Sequence, residues 1–236
     1  MAKPSLVLVP GLLCDAALWQ PQIDRIGDRF DILVADVTRD DSMRGMAGRI
    51  LASAPARFAL AGLSMGGYVA QEVLREAPER VRRVALLDTA ARPDSPERTE
   101  RRHGLIALAR MGKFKGVTPR LLPLLIHPTR LDDRALTGVV MAMAERVGQA
   151  AFLRQQQAIL GRPDFRPDLA RIACAALVLC GRDDALTPPA LSQEIADGIA
   201  GARLIILDAC GHLSPIEQPD AVNAAFDAWL APELAE

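Results

Sequence analysis

The residue that most plainly invites chemistry is Ser64, in Gly62-Leu63-Ser64-Met65-Gly66. The pattern G-x-S-x-G is frequent by chance, but here an apolar run over residues 57–63 gives way to a helical pattern beginning at Gly67. A strand that turns this sharply into a helix holds its serine in a strained backbone conformation. Glycines two before and two after let the neighbouring backbone pass where a Cβ would clash. The hydroxyl then projects into a cleft, with the positive end of the helix beneath it.

A serine hydroxyl is a weak nucleophile, so a histidine must take its proton and a carboxylate must orient that histidine. The chain has three histidines. His103 follows Arg101-Arg102 and reads as part of a solvated helix face, and His127 lies in the same helical stretch of sequence. His212, in Cys210-Gly211-His212-Leu213, follows the last apolar run and is the expected base. Gly181-Arg182-Asp183-Asp184 follows the fifth run. Asp184 is the expected acid. Asp183 is the alternative, otherwise free to cap the next turn, and Asp88, ending the fourth run, is an outside candidate. The oxyanion of an acyl transfer needs two N–H donors, each worth on the order of 3 kcal/mol. Met65 N–H, at the helix start, is one. Leu12 N–H, in the loop Pro10-Gly11-Leu12-Leu13, is the expected second. Asp15 reads as the N-cap of a helix holding Leu18 and Trp19.

These residues need a frame. Six short apolar runs recur, at residues 5–10, 30–36, 57–63, 82–88, 175–181 and 202–208. They are nearly continuous in Leu, Val, Ile, Ala and Phe, which suits a parallel sheet covered on both faces. Amphipathic stretches such as 68–77 and 221–230 lie between them, so the expected fold class is α/β, a mostly parallel, doubly wound sheet with right-handed crossovers. Between the fourth and fifth runs no strand pattern appears. Helical patterns over about 97–111, 119–126, 132–147 and 150–160 predict an inserted helical cap spanning about 90–170, within one domain over 1–236.

Composition narrows the partners. The 236 residues carry 28 Lys plus Arg against 29 Asp plus Glu, a net charge of −1, so no basic excess exists to neutralise a nucleic acid or an anionic membrane. No window reaches the roughly 20 apolar residues of a membrane span. The apolar start, residues 5–13, is broken by Pro10-Gly11 and followed by no small-residue cleavage site, so it reads as a strand. Cys14, Cys174, Cys180 and Cys210 show no C-x-x-C spacing. The expectation is a cytoplasmic protein with reduced, buried thiols, without metal or cofactor. Monomer and homodimer are equally open.

Together the stretches Leu8-Val9-Pro10-Gly11, Gly62-Leu63-Ser64-Met65-Gly66-Gly67, Gly181-Arg182-Asp183-Asp184 with Pro188, and Gly211-His212 with Glu217 and Pro219 resemble the α/β-hydrolase superfamily across nearly the whole chain. The resemblance is nearest to its small, cofactor-free esterase and lactonase-like branch. It implies a Ser64-Asp184-His212 triad in the family's chain order and an acyl pocket under the cap. The chain departs from many relatives at Pro10-Gly11, where they have His-Gly. The expected activity is hydrolysis of a small carboxylic ester through an acyl-enzyme. A lactonase, thioesterase or carbon–carbon hydrolase is the alternative, and a hydrolase-like ligand-binding protein the third reading. In the cap, Met111, Met141 and Met143 with many leucines suit an apolar pocket. Arg130, Arg154 and Arg162 are candidates for a substrate carboxylate unless they pair internally, for example with Asp164.

Overall fold

The computed structural model describes residues 3–231. Six strands, β1 (Ser5–Val9), β2 (Asp31–Val34), β3 (Phe58–Leu63), β4 (Val81–Leu87), β5 (Ala175–Gly181) and β6 (Arg203–Leu207), form one sheet in the order β2-β1-β3-β4-β5-β6. Every pairing is parallel. The α-helices are α1 (Gln20–Ile26), α2 (Met43–Ser53), α3 (Met65–Glu76), α4 (Pro96–Leu108), α5 (Arg134–Leu160), α6 (Pro189–Gly198), α7 (Ser214–Glu217) and α8 (Pro219–Leu230). None is long and apolar enough to cross a membrane.

The continuous apolar runs have a simple cause, because both faces of the sheet are buried. Val7 and Val9 join Leu60, Leu86 and Val178 in the layer under α2, α3 and α6. Leu6 and Leu8 join Ala61, Leu87 and Leu179 in the layer under α1 and α8. The period-2 alternation of a strand divides each run between the two cores. In the second layer the ring centroids of Trp19 and Phe226 lie 6.1 Å apart, and those of Phe226 and Trp229 5.4 Å. Short polar residues start the helices as expected of N-caps: Ser42 accepts from Gly45 N–H, Ser95 from Arg98 N–H and Asp133 from Leu136 N–H.

The stretch between β4 and β5 departs in detail from its sequence reading. The pattern over 119–126 yields only a 3₁₀ turn, Leu122–Leu124; Pro123, in its first turn, lacks the N–H that would join it to a helix running from 119. The patterns over 132–147 and 150–160 form the two arms of α5, broken at Gly148, where φ is 74° and ψ 173°. The first pattern ends early: α4 stops at Leu108, and a short π turn, Ala109–Lys113, is broken at Gly112, with φ 74°.

The strand order places the site. From β1 the chain steps to β2 on one side and, later, to β3 on the other, so the order reverses between β1 and β3. In open α/β sheets a crevice forms at such a switch point, at the carboxyl ends of the strands. The loops leaving these two strands contain Leu12 and Ser64.

Candidate active site

Ser64 is the N-cap of α3, with φ 54° and ψ −114°. A non-glycine residue held in this region costs about 1–3 kcal/mol and persists only where its surroundings fix it. They do so here. Ser64 N–H donates to Leu87 O at 2.9 Å, and its carbonyl accepts from Thr89 Oγ1 at 2.8 Å. The glycines are needed for close approach: a Cβ on Gly62 would stand 2.2 Å from Gly66 O, and one on Gly66 would stand 2.1 Å from Val9 O. The loop after β1 lies against the serine, since a Cβ on Gly11 would be 3.5 Å from Ser64 Cβ.

In that loop Leu13 N–H is engaged, donating to Gln155 Oε1 at 3.1 Å. Neither Leu12 N–H nor Met65 N–H has an acceptor among the turn and side-chain hydrogen bonds of the described residues. Asp15 caps the next turn through Ala17 N–H at 2.9 Å and pairs with Arg146 at 2.7 Å.

His212 and Asp184 meet behind this loop. His212 Nδ1 lies 2.8 Å from Asp184 Oδ2, and the whole pair is buried. Asp184 Oδ1 also accepts from Leu186 and Thr187 N–H, both at 2.8 Å, and Thr187 Oγ1 donates to Oδ2 at 2.6 Å. The turn-capping role and the contact with histidine thus fall on one residue. Asp183 is half-exposed and faces His127 Nε2 at 3.5 Å. The two loops can approach because Gly181 has no side chain: a Cβ there would sit 2.1 Å from Gly211 O. Burial opposes charge on both partners, but their mutual attraction outweighs it. Asp184 is held below, and His212 above, the usual value for its type.

Two further carboxyls support the pair. Glu217 accepts from His127, Gly211 and Leu213 N–H at 2.6, 3.2 and 3.1 Å, which fixes the loop on both sides of His212. In the sequence Glu217 stands only as part of the motif with Gly211-His212 and Pro219; its place five residues past the histidine is the available signal. Asp88 is fully buried, with φ 46°. Its Oδ1 accepts from Gly181 N–H at 2.9 Å, and its Oδ2 accepts from Ser214 Oγ, so it ties the acid loop to the helix after the base. Burial and the nearby Asp184 push its carboxyl well above the usual range. Asp88, Cys180 and Asp184 bring potential ligand atoms within 4.8 Å of one another. Each of those groups is already hydrogen-bonded to its neighbours, a poor start for holding an ion.

Ser64, Leu12, Thr187 and His212 all line one cavity of about 370 Å³. Its roof comes from the β4–β5 stretch, including Leu105, Leu108, Leu125 and Phe152. Of the three methionines only Met143 lines it, and Met111 is exposed. Arg130, Arg154 and Arg162 do not line it. Arg162 pairs with Asp94 at 2.9 Å and lies 4.3 Å over the Tyr68 ring. Arg154 donates to Thr38 O at 2.7 Å, and Arg130 to Glu217 O at 2.6 Å. The partner of Asp164 is Arg166 rather than any of these. A second cavity, of about 600 Å³, opens near Val81 and Cys174 at the start of β4 and β5, and touches none of the residues above.

The strand order, the serine at the switch point and the buried histidine–aspartate pair define a hydrolase architecture, and comparison with known proteins agrees. The chain belongs to the Alpha/beta hydrolase family, which it matches over residues 6–225. It is 26% identical to a pimeloyl-[acyl-carrier protein] methyl ester esterase of Nitrosomonas europaea, over 95% of each chain. It superposes on a thermophilic esterase from Thermogutta terrifontis, solved with malate bound, with a TM-score of 0.88 at 27% identity, covering 98% of this chain and 90% of that one. The enol-lactonase from Burkholderia xenovorans gives 0.88 at 26% identity, with 98% and 92% covered. The protein is a hydrolase of this superfamily.

Proposed function

We propose that this protein is a serine hydrolase that cleaves a small carboxylic ester through an acyl-enzyme, with Ser64, Asp184 and His212 as its triad. One observation carries the reading: a serine strained at the strand–helix junction shares a cavity with a histidine whose far ring nitrogen is 2.8 Å from a buried carboxylate. Asp184 holds Nδ1–H, which leaves Nε2 unprotonated and free to act as base. Ser64 Oγ attacks the ester carbonyl and gives its proton to Nε2. The oxyanion is held by Leu12 and Met65 N–H. His212 then protonates the departing alkoxide, and a water activated by the same nitrogen releases the acid and restores Ser64.

The stretch over about 90–170 acts as the cap that selects the acyl group, and the substrate is a small molecule met in the cytoplasm, without cofactor, nucleic acid or membrane. A lactone is the second reading, favoured by the likeness to an enol-lactonase over 98% of this chain. The triad does not separate the two, because the same attack opens either carbonyl.

The test is a panel of short p-nitrophenyl esters, lactones, thioesters and β-diketones on the wild type and Ser64→Ala. Loss of at least about 10³-fold in kcat is expected for the variant, with a fluorophosphonate adduct only on the wild type. Full activity of Ser64→Ala on p-nitrophenyl butyrate would end the proposal. Absence of both adduct and turnover in folded wild type would favour a ligand-binding role.

A further inference from the structure

The cavity above Ser64 has an unusual charge balance. Five cations line it, Arg98, Arg101, Arg102, Lys113 and Lys115, and no carboxylate does. The three arginines share one face of α4, at i, i+3 and i+4. The lysines arrive from the other side of the Gly112 break, in a stretch that ends at Gly116, where φ is 60°. Glu97 and Glu100, on the same helix, do not line the cavity.

Little of this charge is neutralised. Arg102 pairs with Asp94 at 2.5 Å, but the same carboxylate also serves Arg162 at 2.9 Å. Arg98 donates to the carbonyl of Leu186, which carries no charge to offset it. Arg101, Lys113 and Lys115 have no ion-pair partner among the described residues. The remaining lining is mostly apolar. Leu105 and Leu108 stay 37% and 46% exposed at the helix that carries the arginines, although large apolar side chains are otherwise covered almost throughout the described residues. Cations around a low-dielectric wall concentrate the field and draw in an anion, while leucines left open at a mouth are surface awaiting an apolar chain.

We propose that the substrate of this site is an anionic amphiphile: an ester whose apolar chain ends in a carboxylate, with Arg98, Arg101, Lys113 and Lys115 receiving the carboxylate and the leucine wall receiving the chain. This rests on the serine-hydrolase reading and narrows it. Arg98 also links substrate to machinery, because its partner Leu186 adjoins Thr187, which donates to Asp184.

The experiment compares kcat/KM for monomethyl esters of straight-chain dicarboxylic acids with that for methyl esters of monocarboxylic acids of equal chain length. The half-esters are expected to lead by about tenfold or more at low salt, and the lead to shrink at about 1 M salt, where the screening length is about 3 Å. In R101Q/K113Q/K115Q the ratio of the two kcat/KM values falls about tenfold, as three screened charge contacts allow. Arg44→Gln, on the remote surface of α2, leaves the ratio as it was. Equal rates for the two ester classes, or an unchanged ratio in the triple variant, overturn the proposal while leaving the serine-hydrolase reading intact. So does hydrolysis of a half-ester only when it is tethered to an acidic carrier protein. Should no ester be hydrolysed, the ester reading fails, and calorimetric titration of Ser64→Ala with the two ester classes decides this one separately. Tighter binding of the half-ester, weakened when the triple substitution is added, supports it; equal binding sinks it.

Discussion

His212 is pulled in two directions. Burial disfavours its cation, yet the carboxylates around it, Asp184 first and then Asp88 and Glu217, more than offset this and raise its pKa above 6.5. A base must be neutral to take a proton from Ser64. The rate at low substrate therefore falls as pH drops, with a midpoint above 6.5 in a plot of log kcat/KM. A midpoint at or below 6.5 would mean that burial wins. Asp88 answers to a different measurement. Its folded-state pKa is raised, so the folded protein keeps a proton that the unfolded chain releases above about 3.9. That stability is complete below about pH 3.9 and is lost as pH rises through the folded value. Asparagine cannot ionise and can still offer an oxygen to Gly181 N–H and an NH₂ to Ser214. Denaturant unfolding of Asp88→Asn should thus look progressively better against wild type from pH 4 to pH 8, and a constant difference would contradict it. The sequence puts Asp184 ahead of Asp183 and Asp88 by its motif alone. Which one reaches the imidazole depends on the contact between Gly181 and the backbone of Gly211, a meeting of loops about 30 residues apart that no local pattern encodes.

At the scale of elements, the junction of β3 and α3 leaves no room for a side chain at either glycine. Gly66→Ala would drive a methyl to within 2.1 Å of Val9 O, a backbone atom of β1 that cannot swing away. The expected cost is on the order of 3 kcal/mol in chemical denaturation, with activity lost because the loop bearing Leu12 is displaced. A stable, active variant would show that the junction yields. This part was legible from sequence because strand, turn and helix are contiguous and each glycine marks a place where chain meets chain. The strands were legible too, within about two residues at each end, since burial on both faces leaves a continuous apolar signature. The stretch between β4 and β5 was less so. Its turns fall at Gly112, Gly148 and Pro123, and apolar periodicity runs on through them.

Across the whole molecule, ion pairs distribute acid sensitivity unevenly. Asp94 resists protonation because Arg162 and Arg102 outweigh its burial, and Asp227 is lowered chiefly by its hydrogen bond to Arg29. Carboxyls with depressed pKa values contribute stability above their unfolded value of about 3.9 and lose it as pH falls through the folded one. The thermal midpoint should accordingly drop once pH goes below about 4. Salt near 1 M should remove the share owed to partly exposed Asp227 but not that of buried Asp94; a midpoint flat down to pH 2 would show these pairs to be energetically idle. The way the roof is fastened has a consequence for traffic. The carbonyl of Leu125 accepts from both His212 and Leu213 N–H, at 3.0 and 3.2 Å. Raising that part of the roof would dismount the very imidazole that the reaction needs. The stretch bounded by Gly112 and Gly116, both with left-handed backbone, carries no such duty to the histidine. Any opening of the cavity between Gly112 and Gly116 would leave the imidazole seated, whereas opening it at Leu125 would not.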